Sequence, residues 1–141
     1  MSHYVFVYGS LRRGFGNHRI LDDSKYIGVA YTRPEWKMVD LGAYPGDLGA
    51  YPGVVPGKGR ITGEIYEVDD DTFLRLDRLE SHPSYYRREE IDVYSFAPDV
   101  PAPVKVWMYV FQSRDVRRFE EVESGDWSAH RNVPTYSRNP W

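Results

Sequence analysis

The chain has 141 residues, of which 41% are hydrophobic and 28% are charged, and its net charge is −3. This size and composition predict a single globular domain over residues 1–141, and the small negative charge excludes a general attraction to nucleic acid or anionic membranes. The absence of cysteine excludes disulfides, thiol catalysis and thiolate metal ligands. The first residues lack the basic and apolar regions of a signal peptide, and no apolar run is long enough to cross a bilayer, so a cytoplasmic protein is expected.

The first elements expected along the chain are strands, in keeping with a high load of 12 tyrosines and 4 tryptophans. His3–Val7 is apolar, with β-branched and aromatic residues, and is typical of a strand. It leads into a glycine-containing turn at Tyr8–Leu11, after which Asn17 is predicted to cap a short helical turn. Two further strands are predicted at Lys25–Thr32 and Trp36–Leu41.

A segment rich in glycine and proline, Gly42–Gly59, is predicted to be a loop. The six residues LGAYPG occur twice around it, at Leu41–Gly46 and Leu48–Gly53. Two copies of six residues are too short for a repeat architecture. We therefore interpret them as a duplication within a loop.

The middle of the chain is predicted to form a strand followed by a helix. Ile61–Val68 alternates in polarity as a strand does. The carboxylates of Asp69–Asp71 suit the start of a helix, which explains them more simply than a metal site. The helix is expected to run from Thr72 to Glu80 and to end before His82-Pro83, because the residue preceding a proline disfavours helical angles.

Two more strands and a second helix are predicted toward the C-terminus. The strands are Arg88–Phe96 and Val104–Gln112, separated by a proline-rich turn. Asp115–Glu123 is expected to form a helix with its apolar residues inward and Gly125 beyond its end. The following tail shows no clear period. The expected domain therefore has a core over residues 4–111 and a C-terminal helix and tail over 112–141.

The most informative position is Glu80, at the end of the first predicted helix. A helix advances about 100° per residue. The apolar residues then define one side of the helix: Phe73, Leu74, Leu76 and Leu79. Glu80 falls roughly 20° from the centre of that side, so its carboxylate is aimed inward and its pKa is expected to be raised by burial. The alternative is that Glu80 splays outward at the helix end and pairs with Arg87 or Arg88.

The turn Tyr8–Leu11 is the second candidate site. Glycine at its second position lets the backbone turn sharply and approach a ligand, and successive amide N–H groups in such a turn can bind an anion. They suit a carboxylate or a carbonyl oxygen that gains negative charge. The alternative is an ordinary tight turn. The spacing of Gly9, Gly14 and Gly16 does not fit a dinucleotide-binding fingerprint, and no P-loop is present.

Other chemistries have weaker support. The run from Arg12 to Gly16 is a candidate for binding phosphate or RNA, but it is one short basic run, and a solvated loop is the alternative. The four histidines include no helical i, i+4 pair for a metal. No Gly-x-Ser-x-Gly elbow is present, so a serine hydrolase has no local signature.

Three segments together resemble the γ-glutamylcyclotransferase-like family, in particular its small bacterial-type and γ-glutamylamine cyclotransferase branch. They are VFVYGSLRRGFGNHRIL at Val5–Leu21, YPGVVPG at Tyr51–Gly57 and GEIYEVDDDTFLRLDRLESHPSYYRREEIDV at Gly63–Val93. The strand Val104–Phe111 is also similar to the last core strand of that family. Ser81 stands where many relatives have glycine.

The resemblance implies a fold and a site. The fold is α+β, with a small closed or partly closed β-barrel flanked by short helices. The substrate cavity of the family is formed by a Tyr-Gly-Ser-Leu loop, and the glutamate of its Leu-Asp-x-x-Glu motif is the catalytic acid/base. These positions correspond here to Tyr8, Gly9, Ser10 and Leu11 for the loop and to Glu80 for the carboxylate, which the helical wheel independently turns inward.

The implied reaction is the cyclisation of a γ-glutamyl amide to 5-oxoproline by attack of its own α-amine, without a metal or an organic cofactor. Tyr109 is expected to line the pocket, with ordinary core packing as the alternative. Asn17 is expected to support the loop, although capping explains it equally well. Tyr86 and Arg87 are expected to support the surroundings of Glu80.

The expected partner is a small-molecule γ-glutamyl substrate, and the chain is expected to be a monomer or a weak homodimer that binds neither nucleic acid nor membrane. The alternative function is a binding module of the same fold, which would hold an amino-acid-like ligand without turning it over. The leaving amine stays open among glutathione, γ-glutamyl amino acids, γ-glutamyl-lysine and an acylated biosynthetic intermediate.

Overall fold

A computed structural model of the protein describes residues 1–42, 50–113 and 115–133. Five strands form a barrel, and their bounds are Ser2–Val7 (β1), Lys25–Thr32 (β2), Thr62–Asp69 (β5), Tyr86–Ser95 (β6) and Val104–Phe111 (β7). The barrel is closed in the order β1-β5-β2-β6-β7. Neighbouring strands are antiparallel, except that β1 and β7 close the barrel in parallel, with Val5 opposite Trp107.

A second, smaller sheet and three short helices surround the barrel. The sheet contains Trp36–Asp40 (β3), Pro52–Pro56 (β4) and Glu120–Glu121 (β8), in the order β4-β3-β8. The helices are a 3₁₀ helix at Gly16–Leu21, α1 at Asp70–Leu79 and α2 at Trp127–Arg131. The architecture confirms the predicted α+β class with a small barrel flanked by short helices. None of the helices in the described ranges is long and apolar enough to cross a membrane.

Parts of β1, β5 and β7 are buried on both faces, and successive side chains there point to opposite sides of the strand. In β1, Phe6 belongs to one buried cluster with Ile65 and Met108, whereas Val5 and Val7 belong to a second cluster. The second cluster also contains two residues of α1, Phe73 and Leu76. The helix therefore covers one face of the barrel and is fixed against the end of β1.

The first helix begins as predicted and differs from the helical wheel in part. The Asp69 carboxylate accepts a hydrogen bond from the Thr72 N–H at 2.8 Å, which satisfies one of the free donors of the first turn. Leu74 and Leu79 are 50% and 42% exposed, so only part of the predicted apolar side is buried. The side that faces the barrel is therefore narrower than the wheel suggests, with Thr72, Phe73 and Leu76 as its buried residues.

The predicted loop Gly42–Gly59 is wrong in its second half, where β4 lies. Val54 and Val55 are buried there, and β4 pairs along its whole length with β3. The prolines at both ends of β4 led to the prediction of a loop. A proline is nevertheless tolerated in β4, because this strand lies at the edge of its sheet. Most of the first LGAYPG copy and the start of the second fall within residues 43–49, outside the described residues.

The predicted helix Asp115–Glu123 is also wrong. Its described residues form a turn, in which the Phe119 N–H donates to the carbonyl of Val116, followed by the two-residue strand β8. Val122 is buried as expected, but its N–H donates to the carbonyl of Met38 in β3. Of the three apolar residues at helical spacing, Val116 and Phe119 are thus partly buried from a turn, and Val122 is buried beside the small sheet.

The helix of this region lies further on, in the segment for which no period was seen. Asp126 caps α2 by accepting hydrogen bonds from the N–H groups of Ser128 and Ala129, and Trp127 is completely buried. An aspartate before a buried tryptophan is a start signal that the sequence does contain. The predicted capping by Asn17 is wrong as well, since Phe15 precedes the 3₁₀ helix and no side chain caps it.

One arginine of the basic run after the first turn is built into the core. Arg12 is only 2% exposed, and its guanidinium donates to Glu64 at 3.2 Å and to Asp126 at 2.9 Å. Glu64 is equally buried and also accepts from the Arg13 N–H and the Tyr66 hydroxyl. Arg12 therefore joins the first turn to β5 and to the cap of α2, and it is not available to a phosphate.

We expect the Arg12→Ala variant to lose about 3 kcal/mol of unfolding free energy, because removing one member of a buried pair leaves the other charge uncompensated. Arg13→Ala is the matched control. Arg13 is half-buried and lies over the Tyr26 ring at 4.0 Å, so its loss is expected to cost less than about 1 kcal/mol. Denaturant unfolding of the two variants measures the difference, and equal losses would contradict a structural role for Arg12.

Candidate active site

A cavity of about 360 Å³ opens between the first turn, the end of α1 and the start of β4. The structure brings all seven residues predicted for the site to its wall. These are Tyr8, Gly9, Ser10, Leu11, Asn17, Glu80 and Tyr109. Further wall residues were not predicted as site residues, and they are Phe6, Val7, Tyr51, Pro52, Leu79, Ser81, Tyr85 and Tyr86. Most of these additional wall residues are aromatic or apolar. The local sequence does not distinguish an apolar residue that lines a cavity from one that packs in the core.

The first turn is held against β4 at close range. A Cβ added at Gly9 would lie 2.6 Å from Cγ of Pro52, so no larger residue fits there without displacing the strand. The turn is closed by the Arg12 N–H, which donates to the carbonyl of Gly9 at 2.9 Å. Glycine in this turn is therefore required by packing as well as by the backbone turn itself.

The backbone amides of this turn are left without acceptors. Within the described ranges, the N–H groups of Gly9, Ser10 and Leu11 donate to no protein group. The carbonyl of Ser10 accepts from the Asn17 N–H at 3.2 Å, and the Asn17 side-chain amide donates to the Ser10 hydroxyl at 2.9 Å. Asn17 thus braces the turn, in the supporting position that the sequence predicted. Backbone N–H groups without acceptors at a cavity wall can donate hydrogen bonds to an anionic oxygen of a ligand.

The end of α1 sets the direction of Glu80. Glu80 follows the last helical residue, and Ser81 has a left-handed φ of 52°. The Ser81 N–H donates to the carbonyl of Arg78, and the His82 N–H donates to the carbonyl of Asp77. This pair of bonds is a Schellman motif, which usually has glycine at the left-handed position. The left-handed angle gives a physical reason for the glycine that many relatives have there.

Among the described residues, Glu80 has no charged partner. No hydrogen bond or ion pair to its carboxylate occurs within residues 1–42, 50–113 and 115–133. Arg88, one of the two arginines suggested as its partner, pairs instead with Asp77 at 2.9 Å, and Arg87 is exposed. Burial disfavours the charged carboxylate and raises the pKa of Glu80 to about 7. A carboxylate with this pKa can both accept and donate a proton near neutral pH.

Three tyrosine hydroxyls at the cavity are engaged elsewhere. Tyr8 donates to the carbonyl of Tyr109 at 2.6 Å, and Tyr109 donates to Asp77 Oδ1 at 2.6 Å. Tyr86 donates to the carbonyl of Pro52 at 2.7 Å. Burial, followed by the charge of Glu80, raises the pKa of Tyr8, which keeps that phenol protonated. These phenols therefore present rings to the cavity, while their protons are directed into the surrounding structure.

One group of potential metal ligands lies away from the cavity wall. Ligand atoms of Asp40, Glu120 and His130 lie within 4.8 Å of one another. The sequence offered no helical histidine pair, and this cluster forms only because β3, β8 and α2 meet. Asp40 already accepts from the Gly42 N–H at 2.8 Å and contacts His130 Nε2 at 3.1 Å, so these contacts account for its carboxylate without an ion.

The raised pKa of Glu80 predicts a characteristic pH dependence of stability. The unfolded chain loses this proton near its ordinary pKa of 4.5, and the folded chain loses it near 7. The folded state therefore binds more protons between these values, so this group lowers stability as the pH rises from about 4.5 through 7. We therefore compare the free energy of unfolding of Glu80→Gln with that of the unsubstituted chain. This difference is expected to shift in favour of Glu80→Gln by on the order of 2 kcal/mol between pH 5 and pH 8.

Urea unfolding at the two pH values measures this gain. Glu123→Gln is the control, because Glu123 is exposed and its replacement should give a difference that does not change with pH. If the difference between Glu80→Gln and the unsubstituted chain is also independent of pH, the carboxylate does not titrate in the way described.

Comparison with known proteins is consistent with this fold. The profile of the family described as γ-glutamyl cyclotransferase, AIG2-like, matches residues 5–129. A Vibrio cholerae protein with the provisional name of a γ-glutamylcyclotransferase is 41% identical over 127 residues, covering 90% of this chain and 96% of its own. A γ-glutamylcyclotransferase family protein of Escherichia coli is 36% identical over 124 residues, covering 87% of this chain and 94% of its own. The crystal structure of an AIG2-like protein from Mus musculus is similar with a TM-score of 0.74 at 27% identity, over 99% of both chains. This chain therefore belongs to the γ-glutamyl cyclotransferase, AIG2-like family.

Proposed function

We propose that the protein releases 5-oxoproline and a free amine from a γ-glutamyl amide, with Glu80 as the acid–base group. The observation that carries this proposal is the placement of a carboxylate with a pKa of about 7 in the same cavity as three backbone N–H groups, where neither the carboxylate nor the N–H groups have a partner in the described part of the chain. The two parts supply what the reaction needs, namely a group that moves protons and donors for developing negative charge. The names of the relatives support the same class of reaction.

The proton transfers balance within one carboxyl group. Glu80 takes a proton from the α-ammonium of the substrate, and the freed amine attacks the γ-carbonyl carbon. A carbon–nitrogen bond forms in a five-membered ring, and the carbonyl oxygen becomes an oxyanion. The tetrahedral species then breaks its original amide bond while Glu80 returns the proton to the departing amine. The regenerated Glu80 carboxylate takes the second proton from the ring nitrogen, which becomes the neutral N–H of 5-oxoproline, and that proton passes to the released amine, which leaves as an ammonium ion. Because the attack is intramolecular, holding the substrate in a folded conformation supplies a large part of the rate.

The turn is suited to the charged end of such a substrate. The N–H groups of Gly9, Ser10 and Leu11 would bind either the α-carboxylate or the oxyanion. Asn17 would keep the turn in place through its bond to Ser10. Tyr8 and Tyr109 would shape the wall by their rings. The cavity volume of about 360 Å³ is within the range of small-molecule sites.

We expect Glu80→Gln to lose at least 100-fold in 5-oxoproline release, because an isosteric amide cannot carry the proton. The assay measures 5-oxoproline from a panel with one γ-glutamyl group and different amines: glutathione, γ-glutamyl amino acids, γ-glutamyl-lysine and simple γ-glutamyl alkylamides. The Glu123→Gln control should retain the rate of the unsubstituted protein.

Two outcomes would contradict the proposal. Retained turnover by folded Glu80→Gln would remove Glu80 from the chemistry. Saturable binding of these amides by the unsubstituted protein, with no 5-oxoproline formed from any of them, would favour the ligand-binding module of the same fold.

A further inference from the structure

Five tyrosines line the cavity of Glu80, and the hydroxyls of three of them, Tyr8, Tyr86 and Tyr109, donate to acceptors other than that carboxylate. Tyr8 and Tyr86 donate to backbone carbonyls, which the barrel and β4 hold in place. Tyr109 donates to a side chain, Asp77, at 2.6 Å. A backbone acceptor cannot be removed by substitution, whereas Asp77 can. The orientation of one of the three phenols therefore depends on a single replaceable residue.

Asp77 is firmly anchored and carries a charge. Arg88 donates to both of its carboxylate oxygens, from Nε at 2.9 Å and from Nη2 at 3.2 Å. The guanidinium also lies over the rings of Phe73 at 4.3 Å and Trp107 at 4.8 Å. Burial opposes the charge of Asp77, but the bonds from Arg88 and Tyr109 prevail and lower its pKa. Asp77 is thus a charged, oriented acceptor at neutral pH.

The position of Asp77 places this acceptor next to the catalytic carboxylate. Asp77 and Glu80 are three residues apart at the end of α1, a spacing that makes side chains neighbours on one side of a helix. Tyr109 lines the same cavity as Glu80. The pKa of Tyr109 is raised by burial, by the bond to Asp77 and, as a further contribution, by the charge of Glu80. This phenol therefore interacts electrostatically with both acids.

A phenol that donated to Glu80 would impair the proposed base. Hydrogen bonding to the charged form of a carboxylate stabilises it and lowers its pKa, commonly by about one unit or more. The ionisable groups on the described cavity wall are Glu80 and five tyrosines. The tyrosines are Tyr8 in the first turn, Tyr51 before β4, Tyr85 and Tyr86 at the start of β6, and Tyr109 in β7. Beyond them, Asp77, His82 and Arg88 surround Tyr109. Among the described wall residues there is no lysine, arginine or histidine.

We propose that Asp77 is a positioning residue that engages the Tyr109 hydroxyl and so prevents this phenol from donating to the carboxylate of Glu80. This inference rests on the proposed role of Glu80 and extends it to the aspartate of the Leu-Asp-x-x-Glu sequence at residues 76–80. Arg88 contributes by holding Asp77 in the orientation that accepts from Tyr109.

The test is a direct titration of the Glu80 side-chain carboxyl carbon by NMR in ¹³C-glutamate-labelled protein, with the signal assigned by its absence in Glu80→Gln. Replacing Asp77 by leucine, which has a similar volume and no acceptor, is expected to lower the Glu80 midpoint by about one pH unit. Adding Tyr109→Phe to that variant is expected to return the midpoint toward the value of the unsubstituted protein.

The double substitution separates the hydroxyl from other effects of removing Asp77. Loss of the Asp77 charge, or a movement of Arg88 toward Glu80, would also lower the midpoint, but Tyr109→Phe would not reverse either one. An equal downward shift in the single and double variants would therefore overturn the proposal. Tyr109→Phe alone, which removes no charge and should fold, is expected to leave the midpoint unchanged. A rise of about one unit in that variant would show that Tyr109 already donates to Glu80, and would also overturn it.

The titration requires no turnover, so it can fail independently of the proposed function. If the Glu80 midpoint is restored in the double variant but no 5-oxoproline is released, the role of Asp77 is supported and the proposed reaction is contradicted. If 5-oxoproline is released but the Glu80 midpoint shifts equally in the single and double variants, the proposed reaction is supported and the role of Asp77 is contradicted.

Discussion

The constraint on which the site depends is the carboxylate of Glu80, a partly buried residue that has no partner among the residues that the structure describes. Proteins normally pair or hydrogen-bond a buried charge, because an uncompensated one is costly. Here Arg88, one of the two arginines suggested as partners of Glu80, is engaged by Asp77, and three phenols at the cavity donate to other acceptors. Among the described residues, these side chains have protein partners, whereas the Glu80 carboxylate and three N–H groups of the first turn have none. Such an arrangement exchanges stability for a functional ionisation.

The barrel is what makes this arrangement rigid. Closure between β1 and β7 places Tyr8, just after β1, beside Tyr109 in β7, so the hydroxyl of one reaches the carbonyl of the other. The same closure sets α1 across the end of β1, where Phe73 and Leu76 join the buried cluster. The chain then leaves the helix through a left-handed residue, which directs Glu80 into the cavity. The acid and the turn belong to distant parts of the sequence and meet because of these pairings.

Much of the fold was predictable because its signals are local. The six predicted strands are confirmed within about two residues, and the Asp69 cap of α1 was visible as an aspartate before an apolar period. The missed strand β4 has prolines at both ends, and its membership of a sheet depends on pairing with β3. The segment after Ser113 was misread because Val122 is buried by a strand contact, which gives the same apolar spacing as a helix.

The candidate site was predictable only where a motif exposed it. The helical wheel turned Glu80 inward, and the resemblance gave the turn at Tyr8–Leu11, so these residues were found. Tyr51 and Tyr85 were not, since their place on the wall depends on how β4 and β6 approach the turn. Arg12 was assigned to a solvated loop or a phosphate site, although it is a core residue, because its two acceptors lie 52 and 114 residues further along the chain.

The central claim is that an unpaired Glu80, ionising near neutrality, moves the protons of the reaction. The most direct test is the pH dependence of kcat/KM for 5-oxoproline release from the best γ-glutamyl amide of the panel. The account predicts an acidic limb with an apparent pKa near 7, the value to which burial raises Glu80. A rate that stays constant from pH 8 down to pH 5, on protein that remains folded, would contradict it.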